Sequence, residues 1–354
     1  MFFAGIDAHT RYVVVVVVNS QGERVVDPAR VKVEQSDRLL ELLRPYRPLD
    51  AVMESSSSWP WLYELFAGTG IQFVLAHARR LRAIAEATYK RDEIDAELLA
   101  RMRLAGLIPT VYATPATQRE WATLVRHRTT LVTQRTAVAN RIHAQLHMHG
   151  LHLPRGELLT TAGRQWVKRA AVRQLGLEHR ALVRSHLKVI VGLRPLIAAI
   201  DRHITEVAAT IPEATLLRTI TGIGAYRALV ICAETLPIRR FPTPGHLASY
   251  AGLVPVSKQS GVRPVWHGSI PAGANRWLRG TLVRAVVSHV KHEPESWLTQ
   301  YYLTQKARVG WPTARVAAAR KLARAIYAML RTNSCWTNAP RQGELLGPHA
   351  ASTA

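Results

Sequence analysis

The amino-acid sequence predicts an α/β domain at the N-terminus, then a helical arm, then a mostly α-helical C-terminal domain. Three observations carry this. Short β-branched runs dominate the first part of the chain, helical apolar periodicity takes over from about Glu120, and the charge balance changes between them. Residues 1–109 hold 14 of the 47 Lys and Arg and 14 of the 24 Asp and Glu, whereas residues 110–354 hold 33 against 10. The whole net charge of +23 therefore lies after residue 109, and a region so basic calls for a polyanionic partner.

With 354 residues, 48% of them hydrophobic, the chain has enough apolar side chains for two or three cores. Phe2 to Asp7 is a short apolar run ending in an acid. Tyr12 to Val18 contains six consecutive valines, far short of the ~20 residues of a membrane helix, and reads as a buried strand. Asn19-Ser20-Gln21-Gly22 separates it from Arg24 to Val33 as a hairpin turn, giving three antiparallel strands. Ser36 is expected to cap a helix carrying Leu39, Leu40, Leu42 and Leu43, which stops before Pro48. Asp50 to Glu54 is a strand, again with an acid at its end. Trp59 to Phe66 is a helix closed by Gly68 and Gly70, Ile71 to Leu75 a strand, and Ala78 to Ala87 a helix. Another helix opens in Tyr89-Lys90-Arg91-Asp92-Glu93-Ile94-Asp95-Ala96. The order β-β-β-α-β-α-β-α is that of an RNase H-like domain.

In such a sheet the first and fourth strands are neighbours, so Asp7 and Glu54 meet. Asp92 and Asp95, three apart on a helix, project from one face and come over them. Singly, each acid has an ordinary explanation: a strand end, a turn cap, or an acidic first helical turn favoured by the macrodipole. Jointly they place four carboxylates together, and like charges that close need compensation. Divalent cations supply it, and hard oxygen ligands suit Mg²⁺.

From Thr114 the composition changes. Glu120 to His149 forms a long helical pattern studded with Arg126, Arg128, Arg135 and Arg141. After a break at Gly150 to Gly156, further helices run to Ile211, so the middle region reads as an antiparallel, coiled-coil-like arm. Its histidines (His127, His143, His147, His149, His152) have no carboxylate or cysteine partner of the kind zinc sites use. Leu216 to Glu234 reads as helix, Thr221-Gly222-Ile223-Gly224, helix: a helix-hairpin-helix, in which Gly222 and Gly224 let backbone N–H groups approach a phosphate. A ligand-free αα-hairpin is the plain alternative. Beyond it lie a polar loop, Val256-Ser257-Lys258-Gln259-Ser260-Gly261, an arginine-bearing helix starting near Arg276 and Arg279, and two more helices. The expected divisions are 1–110, 111–211, 212–337 and a disordered tail, 338–354. Cys232 and Cys335 are too few and too far apart for a disulfide framework, and Asp7 interrupts the first apolar run, so no signal peptide and a reducing cytoplasm are expected.

The combination of Gly5-Ile6-Asp7, Glu54, Lys90-Arg91-Asp92-Glu93-Ile94-Asp95-Ala96, the helix-hairpin-helix, Ala251-Gly252-Leu253-Val254-Pro255, Ser260-Gly261 and Gly273-Ala274-Asn275-Arg276-Trp277-Leu278-Arg279 resembles the DEDD transposases of bacterial insertion sequences. The resemblance spans about residues 1–332. It implies a recombinase guided by a noncoding bridge RNA, acting on target and donor double-stranded DNA, cytoplasmic and nucleoid-associated, with no membrane partner. It also implies that Asp7, Glu54, Asp92 and Asp95 bind Mg²⁺, and that Ser260 attacks the DNA phosphodiester to form a covalent phosphoserine. Many relatives carry a second serine just before the Ser-Gly pair; here that position is Gln259, which leaves Ser257 as the competitor, and Gly261 favours Ser260. Composite sites within a dimer of dimers, with the arm as dimerisation and RNA-binding element, are likewise implied.

Nucleic-acid contacts are expected from Arg126, Arg128, Arg135, Gly222, Gly224, Lys258, Gly261, Arg276 and Arg279. Two other readings use the same residues: a metal-dependent junction-resolving nuclease that activates water and leaves Ser260 structural, and a non-catalytic nucleic-acid-binding protein. An actin-like sugar kinase also opens on a Gly-Ile-Asp strand. It needs a second Asp-Gly phosphate loop, which is not found, and it leaves the basic region unexplained.

Overall fold

The computed structural model describes residues 1–56, 58–84, 91–153, 156–169, 171–255, 257–258, 266–267 and 273–338. The chain forms two compact units, Met1–Ala116 and Thr117–Ala354.

The first unit is built on one mixed sheet of β1 (Phe2–Ala8), β2 (Tyr12–Val18), β3 (Arg24–Lys32), β4 (Leu49–Glu54), β5 (Gln72–Ala76) and β6 (Thr110–Val111), in the order β3-β2-β1-β4-β5-β6. β1 pairs antiparallel with β2 and parallel with β4, and β5 continues the parallel set. Helices α1 (Ser36–Leu43), α2 (Trp59–Phe66), α3 (Ala78–Ile84) and α4 (Asp92–Leu104) complete it. The valine run explains why the sheet carries helices on two faces. Val13, Val15 and Val17 pack with Leu39 and Leu43 of α1 and Leu62 and Phe66 of α2, whereas Val14 and Val16 pack with Ala96 of α4. A strand covered on both sides has no polar alternation, which is how these valines read in the sequence.

Gly5 sets how close α4 comes. A Cβ on it would lie 1.8 Å from the carbonyl oxygen of Ala96 and 2.6 Å from the nitrogen of Ala100, so helix backbone rests directly on β1. The other end of α4 is fastened to β4: Arg103 donates from Nε to Asp50 Oδ1 (3.0 Å) and from Nη2 to Asp50 Oδ2 (2.6 Å), and Asp50 is only 2% exposed. One local expectation is corrected, one short strand is added, and one helix is described only in part. Ser36 is the first residue of α1 rather than its cap, because a 3₁₀ turn over Val33–Gln35 runs straight into the helix, and no side-chain cap bond forms. β6 was not expected, two residues being too few to show alternation. The helix expected over Ala78 to Ala87 is described as α3 only to Ile84; 85–90 lie outside the described residues.

The second unit begins with α5 (Ala116–Met148) and, after α6 (Thr161–Arg169), returns along α7 (Leu177–Ala209). The two long helices run antiparallel: Arg128 Nε bonds Asp201 Oδ1 (2.8 Å), and toward the other end Gln145 Oε1 lies 2.5 Å from His179 Nδ1. At 1.5 Å per residue each is ~50 Å long. Their distal halves share a core that includes Ile142, Leu146, Val183, Leu187 and Ile190. The remaining helices are α8 (Pro212–Leu217), α9 (Ala225–Thr235), α10 (Pro244–Tyr250), α11 (Arg276–His292), α12 (Trp297–Val309) and α13 (Trp311–Thr332). They enclose a second core around Leu229, Ile231, Leu282, Val286, Leu322 and Ile326. Two short strands, β7 (Ser257–Lys258) and β8 (Trp266–His267), pair antiparallel. Among the described residues no helix is long and apolar enough to cross a membrane. Both cysteines are free, Cys232 buried and Cys335 exposed.

The loop between α8 and α9 is held from within. Gly222 has φ +96°, a conformation that favours glycine, and a Cβ there would meet the Ala285 carbonyl oxygen and the His289 nitrogen of α11 at 2.9 Å each. His289 Nδ1 lies 2.8 Å from the Thr221 carbonyl oxygen, and Thr221 Oγ1 donates to Glu293 (2.7 Å).

Candidate active site

The parallel pairing of β1 and β4 brings Ile6 opposite Met53, so Asp7 and Glu54 follow side by side at the same end of the sheet. Both are half-buried. Asp92 and Asp95 stand in the first turn of α4, which Gly5 allows to lie against β1. Acidic residues at a helix start also suit its dipole, so the ordinary and the functional reasons for these two residues coexist.

His9 Nε2 lies 3.0 Å from Asp7 Oδ2 and 3.2 Å from Asp92 Oδ2. Carboxylate oxygens only accept, so in this arrangement Nε2 carries the proton between them. Tyr12 donates to the same Asp92 Oδ2 (2.9 Å), and Arg30 Nη2 is 3.8 Å from that oxygen with its guanidinium 3.5 Å from the centre of the Tyr12 ring. Burial raises the Asp7 carboxyl above its ordinary range; His9 pulls it back, and the charges of Asp92 and Asp95 push it up again. Burial is the larger cause, and like charges this close are eased by a nearby cation.

The donor set fits one. The ligand atoms of Asp7, His9 and Asp92 all lie within 4.8 Å of one another, a spacing that a single ion with bonds of ~2.0–2.4 Å can span. Carboxylate oxygens suit Mg²⁺, and His9, which would have to give up its Nε2 proton to bind, also suits Mn²⁺. A wide hollow of about 620 Å³, lined by Asp37, Leu40, Glu41, Arg44, Arg47 and Thr69, belongs to the opposite end of the sheet, where β4 and β5 begin. It holds none of these acids.

His9, Tyr12 and Arg30 were not singled out in the sequence. The signal for His9 was there: two residues past Asp7 it returns to the same face of an extended strand. Tyr12 and Arg30 needed the hairpin register, which sets Asp7 opposite Val14 and Val14 opposite Arg30.

Ser260 and Gly261 lie outside the described residues; Ser257 and Lys258 form β7, of which only the backbone is described. Arg126 bonds Glu234 Oε1 (2.7 Å), and Arg128 pairs with Asp201 and lies over the Tyr226 ring at 4.7 Å, so both have partners inside the fold. Nε of Arg135 is buried without a hydrogen bond among the described residues. A Cβ at Gly224 would face open space, unlike one at Gly222. Arg276 is exposed and Arg279 half-buried in the first turns of α11. Asn275 caps that helix by accepting from the Leu278 nitrogen (3.0 Å), while its Nδ2 donates to Glu234 (2.7 Å) and Tyr250 (2.9 Å). Glu234, a buried hub that the sequence marked only as a helix end, thus joins α5, α9 and the start of α11.

Residues 4–150 match the model of the IS110-type DEDD transposases, described as a transposase, and residues 214–303 match the model described as the transposase IS116/IS110/IS902 family. The chain belongs to this transposase family. The family assignment makes it a DNA-modifying enzyme. Among relatives of the family, the transposase for insertion sequence element IS1111A of Coxiella burnetii is 26% identical over 285 residues, 79% of this chain and 77% of its own length. A probable family 20 transposase of Pseudomonas aeruginosa is 27% identical over 254 residues, 70% of this chain and 74% of its own. An insertion element IS110 protein of Streptomyces coelicolor is 33% identical over 135 residues, 38% of this chain and 32% of its own.

Proposed function

We propose that this transposase is a Mg²⁺-dependent site-specific recombinase, guided by a noncoding bridge RNA, that cuts and rejoins DNA through a covalent phosphoserine at Ser260. The observation that carries the reading is the meeting of Asp7, His9 and Asp92, with Asp95 near and Glu54 at the adjoining strand end. The sheet order, with parallel β1 and β4 flanked by antiparallel β2 and β3, fits an RNase H-like domain. Asp7, Glu54, Asp92 and Asp95 would hold the ion, which when bound lowers the pKa of a hydroxyl and offsets charge at phosphorus. Tyr12 and Arg30 steady Asp92, and the His9 ring bridges Asp7 and Asp92.

In the cleavage step the Ser260 hydroxyl loses its proton, an Oγ–P bond forms, and the P–O bond to the departing strand breaks, that oxygen taking up a proton. The phosphodiester's energy is kept in the serine ester, so rejoining to another strand needs no nucleotide cofactor. The excess of cations after residue 109 suits RNA and DNA backbones, with base pairing supplying sequence choice. A dimer of dimers is supported by α7, where Leu182, Val189 and Leu196 recur every seven residues and all three are exposed.

The test incubates the protein, its element's noncoding RNA, matching DNA and Mg²⁺, then denatures the mixture and looks for DNA attached to protein. The expected result is an adduct that disappears in Ser260→Ala. Free cut ends made equally by both proteins would instead identify a water-using nuclease, and intact DNA a binding module.

A further inference from the structure

α11, α12 and α13 meet around a groove of about 280 Å³ that no part of the proposed chemistry uses. Its floor is Val286, Val287 and Val290, and its rim is Tyr302, Lys306, Trp311 and Arg315. Trp311 is 55% exposed and Val287 45%, and the two line one groove rather than standing apart. The Arg315 guanidinium lies 4.0 Å from the centre of the Trp311 ring, and its Nε is buried with no hydrogen bond among the described residues. An apolar floor, two aromatic rings and two cations form the combination on which bases stack while phosphates are neutralised.

The surrounding charge narrows the occupant. Residues 296–338 hold seven Lys and Arg and no Asp or Glu, so α12 and α13 present cations with no carboxylate of their own. A second protein surface entering here would have to be acidic, whereas the family assignment already supplies a polyanion with flat apolar faces. A base paired inside a duplex cannot offer its face to an indole, because its neighbours cover it. An unpaired one can.

We propose that this groove binds an unstacked base of single-stranded DNA, the base lying on Trp311 and Tyr302 with Lys306 and Arg315 at the flanking phosphates. The inference rests on the DNA-acting reading of the chain and adds that its substrate is held partly as single strand. Such a site suits an enzyme that exchanges strands, since rejoining requires separated bases to be kept apart.

The experiment measures binding of the full chain to a fluorescent 12-nucleotide single-stranded DNA, the RNA of the same sequence and the corresponding DNA duplex, for wild type, Trp311→Ala and Lys306→Gln. Trp311→Ala is expected to weaken single-stranded DNA binding roughly 5- to 100-fold, the worth of one stacked base, with duplex binding changed less than about twofold. Lys306→Gln should lower the salt dependence of single-strand binding. A DNA strand carrying 5-iododeoxyuridine should cross-link under ultraviolet light to the peptide containing Trp311. Equal loss for duplex and single strand, or loss confined to RNA, would overturn the assignment. So would unchanged affinity accompanied by a fall in the sedimenting mass of Trp311→Ala, which would make the groove an interface between copies. Wild-type protein that bound no DNA in any form would overturn the DNA-acting reading itself, and that outcome is distinct from all of these.

Discussion

At the scale of single residues, Gly5 matters as much as the acids. It has no chemistry of its own, yet β1 and α4 touch through the space its missing side chain leaves, and that contact is what carries Asp92 to Asp7. Gly5→Ala must push helix backbone away from strand backbone, since neither the Ala96 carbonyl nor the Ala100 nitrogen can rotate aside. The expected cost is about 3 kcal/mol, the upper part of the range for an overpacked core, with weaker Mn²⁺ binding by calorimetry at a temperature where the variant is still folded. Wild-type stability together with wild-type metal binding would show that α4 does not lie where the structure puts it. The acids were legible because each closes a pattern: Asp7 and Glu54 end apolar strands, and Asp92 and Asp95 open a helix. His9 was passed over because a lone histidine after a strand has many uses, and only the shared contact with Asp92 across 83 positions selects one.

At the scale of elements, the loop between α8 and α9 depends on a buried imidazole. His289 is fully buried, between the Thr221 carbonyl and Ser296 Oγ, and burial lowers its pKa. The carbonyl can only accept, so Nδ1 carries the proton, while Ser296 Oγ, 2.6 Å from Nε2, donates to Thr299 Oγ1 (3.1 Å). The folded pKa lies below the unfolded one, so the unfolded chain takes up the proton first as pH falls. Stability from this group is therefore present above the unfolded histidine pKa of about 6.5 and is lost as pH drops from there toward the folded value. Denaturant titrations between about pH 7.5 and 5 should show a decline that His289→Gln flattens, by at most about 1.4 kcal/mol per pH unit for one group. Identical slopes in the two proteins would remove His289 from this role. The helix, glycine loop, helix pattern was readable in Thr221-Gly222-Ile223-Gly224. That Gly222 faces α11 was not, because the residues it meets are more than 60 positions away in the chain.

At the scale of the whole molecule, the chain separates its charges. The sheet unit carries the clustered acids, and the surplus of cations lies beyond it. The two long helices add a second kind of surface: one stripe of α7, with Val183, Leu187 and Ile190, closes on α5, while Leu182, Val189 and Leu196 remain outside. If that outer stripe joins copies of the chain, Val189→Glu combined with Leu196→Glu should lower the mass measured by light scattering to that of a smaller assembly, with the far-ultraviolet helical signal kept. An unchanged mass would separate the stripe from assembly. The sequence showed a single helical apolar pattern here, and an inner and an outer stripe could not be told apart without a partner helix in place.

The pairing of Arg103 with Asp50 has a mechanical consequence. It clamps one end of α4 to the centre of the sheet, and the clamp stands about eleven residues, or ~17 Å, from Asp92. A helix tied there and resting on Gly5 at Ala96 and Ala100 is braced at two places along its length. Asp92 stands about one turn beyond the nearer brace, so its distance from Asp7 is set by the sheet itself.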